Sequence, residues 1–199
     1  MSLLINVVGP PTCGKTTLIE MFRGRRPGLT SYESIDNIRV RLSNTAMSPG
    51  IAVWDKFQKE VWAMLNDQER GNPIVIIESS GLSTKLPSIV WAAILEGHSV
   101  QTIHLTGTAE HFKERLRQRL QAPDYKPIPF EYPELTMEDL IDRCTEKLYK
   151  LWKDAEQINT SNAVSLMRSY ERFEKVILEG LEKENYQNLV KGLVGSASR

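Results

Sequence analysis

The chain has 199 residues and 41% hydrophobic content, enough for one well-buried domain and too little for two ordinary ones. Its 25 Lys and Arg balance 25 Asp and Glu, and this zero net charge argues against a protein built to track the phosphate backbone of nucleic acid, though local basic patches stay open. The longest apolar runs, such as Ile74 to Ile77, are too short to cross a bilayer, the N-terminus lacks the basic region and cleavage site of a secretory signal, and two cysteines make no disulfide framework or zinc site, so a soluble cytoplasmic protein without a membrane partner is expected.

Apolar runs of four to six residues alternate with helical periodicity along almost the whole chain, which is the pattern of a parallel sheet covered by helices. Leu3 to Val8 reads as the first buried strand, followed by a loop at Gly9 to Gly14 and a helix from Lys15 to about Gly24. Leu29 to Glu33 is expected as a short second strand. Ser48-Pro49 has the form of an N-cap with proline at the first helical position, and Trp54, Phe57, Val61 and Leu65 then recur at helical spacing until Gly71. Pro73 to Glu78 is the most strand-like run and is expected at the centre of the sheet. A helix over Leu86 to Glu96 closing at Gly97 and a strand over Val100 to Leu105 come next, and Thr108 caps a helix with Phe112, Leu116 and Leu120 on its buried side.

Four prolines between Gln121 and Pro133 forbid regular structure there, and a loop of this length inside a domain is usually functional or disordered. Thr136 with Asp139 fits a capping box, ahead of a helix whose apolar stripe is Met137, Leu140, Ile141, Cys144, Leu148, Leu151 and Trp152. A short strand over Glu156 to Asn159 precedes a last helix, over 162–194, through Tyr170, Phe173, Ile177 and Leu181. No repeat and no clear linker appears, so residues 1–199 read as a single domain. Trp54, Trp62, Trp91 and Trp152 fall on helical stripes and are expected in the core, while His98, His104 and His111 match no metal-ligand pattern.

Gly9-Pro10-Pro11-Thr12-Cys13-Gly14-Lys15-Thr16 matches the phosphate-binding (Walker A) pattern G-x-x-x-x-G-K-[ST], with a predicted strand before it and a helix after it. Glycines let the backbone turn its N–H groups toward phosphate oxygens, and the helix N-terminus, continuing into Thr17, adds a favourable dipole. Lys15 supplies a point charge, and the Thr16 hydroxyl can ligate Mg2+. Nucleoside triphosphate binding is the firmest reading of the chain. Glu78, ending the strongest strand, is placed to hold the Mg2+ beside Thr16, the bland alternative being a polar strand end. Glu78-Ser79-Ser80-Gly81 also mimics the Asp-x-x-Gly element of GTPases, but no Asn-Lys-x-Asp guanine-reading motif accompanies it.

Asp36 and Arg39 follow the second strand, where the chain leaves the sheet edge facing the phosphate loop. Asp36 can accept the proton of an attacking hydroxyl and Arg39 can hold the acceptor or the carboxylate; alternatively Asp36 caps a helix running through Val40 and Leu42 and Arg39 is solvated. Arg115 and Arg119, four apart on the Thr108 helix, can neutralise charge on a transferring phosphoryl group, or else belong to a solvated face with Lys113, Glu114, Arg117 and Gln118. Arg23, Arg25 and Arg26 read as a solvated helix end.

With these elements in this order, the sequence resembles the P-loop kinases of the nucleotide-kinase group, over roughly the first 160 residues. The Asp36-Asn37-Ile38-Arg39 placement looks most like polynucleotide 5'-hydroxyl kinases and adenylylsulfate kinases, which carry Asp-x-x-Arg after the second strand. The resemblance implies a three-layer α/β fold with a parallel sheet of about five strands, Asp36 as general base with Arg39 supporting it, and Arg115 and Arg119 as lid arginines closing over ATP. The lid itself would be 121–136.

Three departures stand out: Glu78 where the family usually has Asp, Ser34 where adenylylsulfate kinases carry a second Asp, and Pro11-Thr12-Cys13, which stiffens the loop. Cys13 at a helix N-terminus is open to two readings, a thiol with lowered pKa and simple packing. The expectation is an ATP- and Mg2+-dependent phosphotransferase acting on a hydroxyl of a nucleotide, a small molecule or a 5'-hydroxyl nucleic-acid end, although net charge does not favour the last. The rivals are a nucleoside-monophosphate or other small-metabolite kinase, and a non-catalytic ATP-binding module.

Overall fold

The structure is a computed structural model describing residues 2–43, 50–67, 73–123, 136–161 and 166–196. Five strands, β1 (Leu3–Val8), β2 (Thr30–Ser34), β3 (Ile74–Ser79), β4 (Ser99–Thr106) and β5 (Glu156–Asn159), form one sheet in the order β2-β3-β1-β4-β5. Every pairing is parallel. The β-branched runs of β1 and β3 are buried at all positions, as strands covered on both faces must be. β3 is interior, between β2 and β1, but the middle of the sheet belongs to β1.

Helices cover both faces. One layer holds α1 (Lys15–Arg25), α5 (Ala109–Leu120) and α7 (Leu166–Ser196), packed on Leu3, Ile5, Val7, Ile74 and Ile76. The other holds α2 (Ile35–Ser43), α3 (Gly50–Asn66) and α4 (Lys85–Leu95), with Val53, Phe57, Val61 and Leu65 against Leu4, Val8, Val75 and Ile77. The alternation of odd and even residues between the two layers follows from the two-residue period of a strand. α6 (Met137–Leu151) gives Ile141 to the first layer, while Trp152 just beyond it packs against the second, so it bridges them. Its capping box is complete, with the Thr136 side chain accepting from the Asp139 N–H and Asp139 accepting from the Thr136 N–H.

Boundaries shift, β2 starting at Thr30 instead of Leu29 and α3 ending at Asn66, several residues short of Gly71. Ser48-Pro49 and most of the proline-rich loop lie outside the described residues. Three apolar residues expected in the core are instead more than half exposed. Trp91 is two residues from Ile89 and Ala93, which with Leu86 form the inner side of α4, and two residues on a helix is about half a turn. Leu120 and Leu151 are the last residues of their helices and lie beyond the packed turns. Trp54, Trp62 and Trp152 are partly buried against the second layer.

The cluster Arg23, Arg25 and Arg26 keeps the solvent exposure expected of a helix end and also makes contacts across the fold. Arg23 lies over the Tyr32 ring at 5.2 Å and Arg25 over the Tyr170 ring at 4.4 Å. Arg26 Nε donates to Glu174 at 3.1 Å. Two of these contacts join α1 to α7, as does the edge-on Phe22–Phe173 pair at 6.3 Å, a geometry worth about 0.5–1.5 kcal/mol beyond area burial.

Candidate functional site

Parallel pairing brings the carboxyl ends of all five strands to one edge, and the residues singled out by the sequence lie in the segments leaving that edge. The loop from Gly9 to Gly14 joins β1 to α1. Thr12 has φ 61° and Gly14 φ 96°, both left-handed. For threonine this costs about 1–2 kcal/mol, and its hydroxyl sits 2.6 Å from both the Pro11 and the Phe112 carbonyl oxygens, which fixes the strained residue in place. A Cβ at Gly14 would meet only Arg115 Nη1, at 3.8 Å, so the loop is open on that side.

No side chain caps α1, leaving its first N–H groups to an outside acceptor. Pro10 and Pro11 have no N–H, so between Gly9 and Thr12 the loop offers no amide donor. The buried Lys15 ammonium donates to the Gly9 and Pro10 carbonyls, both at 2.9 Å. Burial opposes its charge, but Cys13, Glu78 and Asp36 around it outweigh that effect and its pKa lies above the ordinary value.

The Thr16 hydroxyl straddles the Glu78 carboxylate, 3.0 and 3.2 Å from its two oxygens. Tyr32, on β2, donates its phenol to Glu78 Oε2 at 2.5 Å. Burial, the Glu78 charge and this hydrogen bond all raise the Tyr32 pKa, so the phenol is a standing donor. A hydroxyl and a carboxylate are hard oxygen ligands, and Mg2+ uses one or two of these with phosphate and water oxygens, so Thr16 and Glu78 fit the cation.

Asp36 lies in the first turn of α2, yet the cap is Ser34, whose hydroxyl accepts from the Asn37 N–H at 2.9 Å. This corrects the reading of Asp36 as the cap. Arg39 is three-quarters buried and donates to Asp36 Oδ1 at 2.9 Å, so it is not the solvated residue of the alternative reading either. Asp36 is among the charges felt by Lys15, which puts it within electrostatic reach of the loop.

Arg115 bridges two segments of the edge, donating to the Thr12 carbonyl at 3.4 Å and the Thr160 carbonyl at 3.0 Å. With the exposed Arg119 it lines a cleft of about 150 Å³, together with Thr12, Cys13, Gly14, Thr17 and Thr160. The solvated-face reading suits Glu114, Arg117, Gln118 and Arg119, which are exposed, but not Arg115, nor Lys113, which is mostly buried against Asp142 of α6. Cys13 is fully buried and its thiol is pushed up by burial, which overturns the reading of a lowered pKa and leaves packing. Gly9 and Pro10 contribute carbonyls to Lys15, and Pro11 a carbonyl beside Thr12; neither proline offers an amide.

Sequence reasoning missed Tyr32 and the Thr160 carbonyl. Both depend on which strands become neighbours, and no local pattern carries that. Among the described residues there is no cluster of three His, Cys, Asp or Glu side chains able to hold a metal by themselves, and no helix long and apolar enough to cross a membrane.

No protein-family profile and no curated protein matches the chain in sequence. Solved structures do match in fold. A gluconokinase from Sinorhizobium meliloti 1021 superposes with a TM-score of 0.55 at 12% identity, over 94% of this chain and 95% of its own. Shikimate kinase from Bacteroides thetaiotaomicron gives 0.55 at 17% identity, over 88% and 98%. A chain of the Pnkp1/Rnl/Hen1 RNA repair complex gives 0.57 at 17% identity, over 78% of this chain and 46% of that one. Sheet order, the strand-loop-helix at Gly9 to Thr16 and these likenesses together give the chain the P-loop kinase fold.

Proposed function

We propose that the chain is a cytoplasmic phosphotransferase that moves the γ-phosphoryl group of Mg2+-ATP to a hydroxyl acceptor, as a single domain with a lid over 121–136. The observation that carries the reading is the conjunction at one sheet edge of an uncapped helix N-terminus, a buried cationic Lys15 and the Thr16–Glu78 oxygen pair. ATP supplies the activated phosphoryl group, and the residues do the rest by positioning and electrostatics.

The amides from Thr12 to Thr17 and the Lys15 ammonium bind phosphate oxygens, while Thr16 and Glu78 hold Mg2+. Asp36 takes the proton of the acceptor hydroxyl, and its pairing with Arg39 keeps the carboxylate oriented. Arg115, tied by its carbonyl contacts, and Arg119 beside it face the cleft along the loop and offset charge in the transition state. Among hydroxyl acceptors, the Asp-x-x-Arg placement favours a nucleotide or a 5'-hydroxyl nucleic-acid end, and the likeness to a chain of an RNA repair complex is compatible with it.

The test is label transfer from γ-labelled ATP with Mg2+ to separate pools of 5'-hydroxyl oligonucleotides, nucleoside monophosphates and small alcohols. Transfer to one pool, abolished by Lys15→Ala and reduced at least a hundredfold by Asp36→Asn, is expected. Transfer to phosphate acceptors that survives Asp36→Asn points to a nucleoside-monophosphate kinase, because a phosphate dianion needs no base. ATP binding with no transfer to any pool overturns the proposal in favour of a binding module.

A further inference from the structure

Glu78 differs from the shorter Asp usual at this place in the kinases that the sequence resembles, and the extra methylene gives its carboxylate more freedom to swing. The fold supplies a restraint. β2 pairs with β3 so that Tyr32 stands opposite Ile76 and Ser34 opposite Glu78. Tyr32 and Glu78 therefore lie on the same face of the sheet, diagonal neighbours on adjacent strands and within reach of a long aromatic side chain. The phenol closes that diagonal with its hydrogen bond to Oε2.

The ring is itself held. Arg23 of α1 lies over it, and Arg23 Nη1 donates to Glu20 at 2.8 Å, so a chain of contacts runs from the surface of α1 through the ring to the carboxylate. Glu78 is thus gripped from two sides, by Thr16 of α1 and by Tyr32 of β2, and is almost fully buried between them.

From this geometry we infer that Tyr32 is a positioning residue for the metal site, fixing the Glu78 carboxylate so that it and the Thr16 hydroxyl present their oxygens to Mg2+ together. The inference rests on the proposed nucleotide-binding role of the loop. When Thr16 turns its oxygen to the cation, its proton needs an acceptor, and Glu78 provides one only if its carboxylate stays oriented. Tyr32 contributes that orientation without touching nucleotide or metal.

The test measures binding of a fluorescent ATP analogue to the full chain in EDTA and in saturating Mg2+, with Tyr32→Phe, Glu78→Asp and the double variant. Tyr32→Phe keeps the ring and the Arg23 contact and removes only the hydroxyl. The native chain is expected to bind more tightly with Mg2+. Tyr32→Phe should lose about tenfold of that gain, the scale of one charge-assisted hydrogen bond, with affinity in EDTA unchanged and the chain still folded at the assay temperature despite a lower thermal midpoint. In the Glu78→Asp background, where the shortened carboxylate cannot reach the phenol, Tyr32→Phe should have no further effect.

A full Mg2+-dependent gain in Tyr32→Phe overturns the inference, as does an equal loss in EDTA and Mg2+. A native chain whose affinity ignores Mg2+ overturns instead the assignment of Thr16 and Glu78 as the metal pair. A chain that binds no nucleotide under either condition overturns the functional reading beneath both.

Discussion

Acid should destabilise the protein through one identifiable side chain. His104 stands on β4 opposite Val8 of the central strand, is 3% exposed, and has an Nδ1 without a hydrogen-bond partner among the described residues. Burial pushes its pKa down to about 4 from an ordinary 6.5. The folded state therefore holds the ring neutral while the unfolded chain protonates it, and stability falls with pH wherever the unfolded state binds the extra proton. The contribution is fully present above pH 6.5 and is lost progressively as the pH falls toward 4. The two pKa values give a loss of about 2 kcal/mol at pH 5 and about 3 kcal/mol at pH 4.

His104→Asn removes the titration, and comparing the two chains cancels the groups they share. Urea denaturation at pH 7.5 and pH 5 should show the gap between native and variant moving by about 2 kcal/mol in the variant's favour. Parallel loss of stability in both chains would refute the reasoning and would mean that the ring protonates in place, with water reaching it.

Two other substitutions or treatments test the frame around the site. Gly81, just after β3, has φ 80°, and an added Cβ would fall 2.8 Å from Val8 Cβ and 2.9 Å from Leu148 Cδ2. Gly81→Ala should therefore cost about 3 kcal/mol, strain and overpacking together, read as a fall of about 6–12 °C in thermal midpoint. Both cysteines are buried, and burial raises both thiols, Cys144 to about 12. Iodoacetamide at pH 8 should modify neither in the native protein and both in urea, and rapid native modification of Cys13 would restore the reading of an activated thiol.

β1 and β3 were legible in the sequence because each is a short, dense apolar run with a turn signal at its end, and the phosphate loop because it is contiguous, whereas β2 and β5 are short and mostly polar and carry a weaker signal. What the sequence hid was mostly relational. Trp91 has the same composition signal as Trp62, and only the phase of Leu86, Ile89 and Ala93 shows which side of α4 faces inward. Asp36 and Ser34 are both good caps by residue type, and the boundary of α2 decides for Ser34. Tyr32 has no motif at all; its role exists only once β2 lies beside β3. The place of Cys13 at a helix N-terminus points toward reactivity, but burial in the finished core pushes its thiol up in spite of the neighbouring Lys15.

The contacts between α1 and α7 have a consequence for how the protein is made. Arg26 and Glu174 are 148 residues apart, and Phe22 must wait for Phe173 before its ring is enclosed. Translation delivers the phosphate-loop helix and its sheet partners early and α7 late, so on the ribosome the flank of α1 that meets α7 stays uncovered until α7 has left the exit tunnel. The nascent chain thus passes through a long interval in which this flank, Phe22 and Arg26 included, is already synthesised and still without its partners.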